Sequence, residues 1–253
     1  MDSVKVIKIG GKVIDNESKL DQFLNDFVQI EGKKILVHGG GKIASNIASK
    51  LGIETKMIEG RRITNAEMLD VITMVYGGLV NKKIVAKLQA LDCNALGLSG
   101  ADLNLIRSKK RNSEPIDFGF VGDVESVDGV LLNSLLNEGI TPIIAPLTYD
   151  GAGQLLNTNA DNIAGFIAME LARNENVELD LCFDLEGVMN GEKLITEINL
   201  LLYRHLTGIG VIKDGMIPKL DLGFQSLNAG VKKVRIVGFD WVNSPDKGTR
   251  LVK

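Results

Sequence analysis

The sequence is poor in the residues that build disulfide and metal sites. Of 253 residues, two are cysteine (Cys93 and Cys182) and two are histidine (His38 and His205). The cysteines stand far apart, so no disulfide framework is expected. Four such residues scattered along the chain leave too few ligands for a Cys/His metal site. No apolar run approaches the roughly 18 residues that span a bilayer, and the first residues carry no signal-peptide pattern. The expected compartment is the cytoplasm. A net charge of −3 and a pI near 5.6 give no footing for a nucleic-acid or anionic-membrane partner. Repeats and low-complexity linkers are missing too. What is left for chemistry is lysine, carboxylate, amide and glycine.

What is present is a regular alternation of strand and helix patterns. Hydrophobic residues make up 45% and charged residues 24%, the balance of a globule with a sizeable core. The length suits one large domain or two small ones. VKVIKI (4–9) reads as a strand, followed by a helical stripe of Leu20, Phe23, Leu24, Phe27 and Val28 that Gly32 stops. KKILVH (33–38) is a second strand, and Ile43, Ala44, Ile47, Ala48 and Leu51 form the next stripe. Thr64 with Glu67 has the spacing of a capping box opening a long helix through about Leu91. Strands NALGLSG, ITPIIAPL, VELDLCF and KVRIVGF alternate with helices over 131–139, 158–174 and about 216–229. The pattern predicts a three-layer α/β/α sandwich around an open, mainly parallel sheet. Residues 103–127 instead alternate like an antiparallel hairpin, read as an inserted β flap. One domain over 1–253 is expected, with lobes divided near residue 175.

Two glycine-rich turns follow strands: Gly10-Gly11 after Lys8, and Gly39-Gly40-Gly41 after His38. Glycine lets a ligand approach the backbone, and carboxyl ends of strands are where open α/β sheets bind ligands. VHGGGK fails the Walker A pattern, because Leu36 stands where the first glycine is needed and Ile43 follows Lys42. The dinucleotide fingerprint is met by Gly39, Gly41 and Ala44, with Glu59 as the acidic residue, but Glu59 lies in the turn-like EGRR rather than at a strand end. Lys8 at a strand end and Lys219 in the first turn of a helix are both oddly placed, the second against the macrodipole. LLNTNADNIAG offers Asn157 or Thr158 as a helix cap and Asp161 as a spacer able to orient two lysines.

The ordered set KIGGK, VHGGGK, GRRIT, LLNTNAD, DLEGV and IKDGMIPK resembles the amino-acid kinase family, most closely its branch that phosphorylates the side-chain carboxylate of N-acetyl-L-glutamate in arginine biosynthesis. The likeness spans nearly the whole chain. It implies ATP and Mg²⁺, with the metal carried by ATP, and a catalytic group of Lys8, Lys219 and Asp161. It implies acylglutamate binding by Gly40, Gly41, Arg62 and Asn157. For the phosphates and nucleotide it implies Gly10, Gly11, Asn159, Asp184, Gly187 and Lys213. Phe183 departs from the small hydroxyl residue frequent in the family, and Lys213 is also unusual there. A carboxylate nucleophile needs no general base, which fits the scarcity of histidine. The lobes would divide the labour, 1–175 for acylglutamate and 176–253 for nucleotide.

Because arginine-inhibited relatives carry an extra N-terminal helix, the resemblance together with the short lead before Lys8 implies the arginine-insensitive, homodimeric type. Met68, Leu69, Ile72, Val75, Tyr76 and Leu79 form a stripe that suits a dimer face or, as is commoner for such stripes, the core. Aspartokinase would be expected to bring a C-terminal regulatory domain for which 253 residues leave no room, and glutamate 5-kinase and uridylate kinase share the KxGG opening but not the set VHGGG, GRRIT and NTNAD. Other readings are a catalytically silent effector-binding protein on this fold and the nicotinamide-dependent dehydrogenase of the glycine fingerprint. The flap carries Arg107, Lys109, Lys110 and Arg111. Charge runs usually face water. An inward cation, with Arg107 the first choice, would instead suit a second carboxylate, as in N-succinyl-L-glutamate.

Overall fold

Successive side chains on a strand point to opposite faces of its sheet, and the first strand, Val4–Ile9, uses that alternation to serve two cores. Val4 and Val6 pack into the cluster shared with helices Ala160–Leu171 and Met216–Asn228. Ile7 and Ile9 pack into the one shared with helices Glu17–Val28, Ala66–Ile72 and Asn81–Gln89. Lys8 has the parity of Val4 and Val6, so it projects toward the first pair of helices. The computed structural model describes residues 3–58 and 61–253.

The central sheet runs Glu197–Ile198, Thr249–Leu251, Lys233–Gly238, Val177–Phe183, Val4–Ile9, Lys34–His38, Thr141–Ile144, Ala95–Leu98. Only Lys233–Gly238 and Thr249–Leu251 pair antiparallel. Lys8 lies in register with Leu181 on one side and Val37 on the other. The chain thus winds outward from the first strand in both directions, which opens a crevice at the carboxyl ends of Val4–Ile9 and its neighbours. With helices on both faces, this is the expected α/β sandwich. Full burial of each Ile, Leu or Phe is worth about 1.5–3 kcal/mol. That apolar reserve lets the fold hold a few buried charged groups, among them Lys8 and Asp180 on the two central strands.

The long helix begins one residue later than the capping-box spacing suggested. Asn65, not Thr64, is its N-cap, accepting from the Met68 N–H at 2.9 Å. The helix continues through a wider π-helical stretch, Thr73–Val80, into Asn81–Gln89. Met68, Leu69, Ile72, Val75 and Tyr76 are buried, so the stripe suited to a dimer face is mostly core. Of the large apolar residues in this segment, Met74 and Leu79 are exposed. The flap strands Ile106–Lys110 and Val121–Val127 pair antiparallel as expected, with a register shift at Arg107/Ser108. They are not a free hairpin, however. Leu147–Tyr149 and Leu155–Thr158 close them into a four-stranded ring. Among the described residues no helix is long and apolar enough to cross a membrane.

Candidate active site

Three charges meet where the parity of Val4–Ile9 sends Lys8. Its Nζ lies 2.9 Å from Asp161 Oδ1, and Lys219 Nζ donates to Asp161 Oδ2 at 2.8 Å. Both lysines are more than nine-tenths buried, at 9% and 8% exposure. Burial alone would raise the Asp161 carboxyl, but the two ammonium groups outweigh it and hold the acid far below the usual carboxylate range. Burial lowers the Lys219 ammonium, with Asp161 opposing and Lys8 adding to the fall. Asp161 sits in the first turn of Ala160–Leu171, whose cap is Asn159. The Asn159 side chain accepts from the Asp161 N–H at 2.8 Å and from Asn162 N–H at 3.2 Å. Neither Asn157 nor Thr158 caps this helix. Both belong to the strand before it, where Asn157 donates to Thr64 Oγ1 at 3.0 Å.

The two glycine turns touch. A Cβ on Gly39 would stand 3.2 Å from the Gly11 nitrogen, and one on Gly11 only 3.8 Å and 3.9 Å from the Gly41 and Gly40 nitrogens. Gly40 also has φ of +149°, a backbone conformation open almost only to glycine, with the Tyr76 ring against it. A small network fixes the second turn. His38 Nδ1 donates to the Gly39 carbonyl at 2.7 Å, while Nε2 accepts from Asn81 Nδ2 at 3.2 Å. Asn81 in turn donates to the Ile143 carbonyl at 2.9 Å. Burial lowers the His38 pKa to about 4. Its imidazole is therefore neutral near pH 7, and both nitrogens are occupied. Burial likewise pushes the Cys182 thiol far up, so no cysteine nucleophile is available there.

Beside the turns is a cleft of about 170 Å³ lined by Gly41, Arg62, Tyr76, Arg111, Asn157 and Asn159, among others. Arg62 is buried, and its Nη2 donates to the Gly41 carbonyl at 2.7 Å and to Ser45 Oγ at 2.9 Å. It therefore braces the glycine turn besides lining the cleft. Of the flap cations, Arg111 faces the cleft and pairs with Asp123 through Nε and Nη2. Arg107 turns instead toward Gly151, Lys110 lies 5.1 Å above the Phe120 ring, and Lys109 is exposed.

The positions assigned to the nucleotide are looser. Asp184 follows the strand Val177–Phe183 and pairs with Lys12 at 2.6 Å. Gly187 is explained by packing: a Cβ there would meet Leu194 and Thr249 side chains, each at 2.6 Å. Lys213 is exposed, and Phe183 packs on the core cluster of Val4 and Val6. Glu59 lies outside the described residues. Tyr76 and Ser45 were not singled out for the site from sequence; nothing in their spacing distinguishes them from an ordinary core residue and an ordinary helix serine. The buried pair of Arg235 and Asp180, Nε to Oδ1 at 2.7 Å, was missed for the same reason.

A sequence model of the amino acid kinase family matches residues 3–238. The chain is 52% identical over 256 residues to an acetylglutamate kinase of Bacteroides fragilis, covering 100% of this chain and 98% of that one. It is 52% identical over 255 residues to an acetylglutamate kinase of Parabacteroides distasonis, covering 99% and 100%. Among solved structures, smu.665 from Streptococcus mutans matches with a TM-score of 0.82 and 25% identity, covering 100% of this chain and 99% of that one. The chain belongs to the amino acid kinase family.

Proposed function

We propose that the protein transfers the γ-phosphoryl group of ATP to the side-chain carboxylate of an N-acylglutamate, N-acetyl-L-glutamate being the substrate for which its relatives are named. The product is an acyl phosphate and ADP. The observation that carries this reading is the Lys8–Asp161–Lys219 cluster, set beside two glycine turns whose backbones meet. The attacking carboxylate is already ionised at neutral pH, so there is no proton to remove. Catalysis then rests on aligning two anions and cancelling charge on the moving phosphoryl. Lys8 and Lys219 supply that charge, and Asp161 holds them on either side of one point.

The remaining roles follow from position. Gly10 and Gly11 offer backbone amides to the phosphates, and Gly40, Gly41, Arg62 and Asn157 receive the acylglutamate. Asn159 supports Asp161. Asp184, Gly187 and Lys213 lie on the nucleotide side. The sheet half before about residue 175 would serve the acylglutamate and the half after it the nucleotide. Mg²⁺ would arrive on the phosphates of ATP and cancel part of their charge. The site of action would be the cytoplasm, where ATP is supplied. A homodimer is part of the proposal, supported by the exposed Met74 and Leu79 on the long helix; light scattering at the mass of one chain would refute it. The activity itself is tested by coupled ADP release with N-acetyl-L-glutamate, free L-glutamate and L-aspartate. ADP formation with the acylated acceptor alone is expected. Equal turnover of free glutamate would overturn the reading.

A further inference from the structure

We propose that the acyl arm of the substrate ends in a carboxylate, as in an N-succinyl group, and that Arg111 receives it. The inference deepens the function proposed above and rests on it. Arg61, Arg62 and Arg111 all line the cleft, and among the described residues no carboxylate does. An N-acylglutamate brings two carboxylates of its own. The side-chain one must lie against Lys8 and Lys219 to attack phosphorus. A single α-carboxylate is then left for the arginines, and Arg62, braced beside Gly41, is its receptor.

Arg111 is built to hold a further anion. Asp123 engages its Nε, at 3.1 Å from Oδ2, and its Nη2, and the Phe118 ring lies 5.6 Å from the guanidinium carbon. The plane of the fork is thereby fixed. Its Nη1 is buried and has no hydrogen-bond partner. Native folds rarely leave such a donor unmet, and an exception points to a missing partner. The methyl of an acetyl group offers no acceptor. A carboxylate two methylenes beyond the acyl carbonyl does, and a guanidinium already held on one edge matches a carboxylate on the next. Met57 and Val121 give the cleft apolar surface for those methylenes. The neighbouring cations do not compete, since Arg107 lies against Gly151 and Lys110 over Phe120.

The test compares kcat/KM of the intact protein for N-acetyl-, N-succinyl- and N-succinamoyl-L-glutamate, the last a neutral isostere of the second. The succinyl substrate is expected to lead both others by roughly ten- to a hundredfold, the range of one charge-assisted hydrogen bond. Arg111→Met should erase the gap between succinyl and succinamoyl, and Arg111→Lys should restore part of it. The wild-type ratio stands whether or not a variant folds. Turnover that favours the acetyl substrate, or treats succinyl and succinamoyl alike, overturns this inference and leaves the kinase intact. Absence of phosphoryl transfer to every acylglutamate overturns the function on which it rests, and the inference with it.

Discussion

Replacing Asp161 by asparagine keeps the shape of the central carboxyl group and removes its charge. Lys8 and Lys219, 2.9 Å and 2.8 Å from its oxygens, are then left as two buried cations facing a neutral amide. Breaking a buried ion pair by removing one partner costs about 3–5 kcal/mol. For a chain of this size each kcal/mol moves Tm by roughly 2–4 °C, so Asp161→Asn should melt about 6–20 °C below wild type. An anion bound between the lysines would supply the missing charge. MgATP should therefore raise the Tm of the variant by more than it raises that of wild type. The pH dependence has a definite sign. The Asp161 pKa is lowered on folding, so its stabilisation is complete above about pH 4 and fades as the pH falls further. The asparagine variant should lack that acid limb. Scanning calorimetry at pH 7 and pH 3, with and without MgATP, reads all three. A variant that melts within a degree of wild type at pH 7 would refute the idea that this carboxylate holds the lysines together.

Three further outcomes are expected. Arg62→Ala should raise the KM for the acylglutamate by about tenfold or more, the loss of a charge-assisted contact, and leave the KM for ATP nearly unchanged; equal damage to both would mean Arg62 acts only through the glycine turn. His38→Asn can keep a donor where Nδ1 meets the Gly39 carbonyl, whereas His38→Gln places its amide nearer the Nε2 position, so steady-state kinetics should find kcat better retained in the first; the reverse order would remove the Gly39 contact from the account. Asp180→Ala strands the buried Arg235 guanidinium and should cost about 3–5 kcal/mol in urea unfolding with little change in KM; a loss under 1 kcal/mol would show that the pair is not needed.

The parts legible from sequence are those set by local pattern. The two-residue period of VKVIKI fixes which side Lys8 takes, and the glycines at 10–11 and 39–41 mark turns that sterics demand. The lysine–aspartate–lysine grouping was expected as a consequence of family resemblance, and in the structure the three side chains do converge. What pattern did not settle depends on distant packing. Thr64 and Asn65 are both good caps, and the choice between them goes with Thr64 being drawn inward to Asn157. The stripe of Met68 to Tyr76 has the same spacing for a dimer face as for a core. It becomes core because Tyr76 covers Gly40 and its neighbours pack under the sheet. The closed ring needs Leu147–Tyr149 and Leu155–Thr158 to find the flap across long stretches of chain, a pairing no local period encodes. Which flap cation turns inward is equally non-local: Asp123 on the facing strand engages Arg111, and Arg107 is left outside.

The central claim is that Lys8 and Lys219 act on the phosphoryl group in flight rather than on substrate binding. Trapping the acyl phosphate with hydroxylamine measures it directly, because the hydroxamate reports product formed at the side-chain carboxylate. At saturating ATP and acylglutamate, Lys8→Ala and Lys219→Ala should each form hydroxamate about 10²–10³-fold more slowly than wild type, the cost of one lost charge-stabilising donor. Their KM values should move far less. A variant of either lysine that keeps the wild-type rate at saturation, with only its KM raised, would contradict the account.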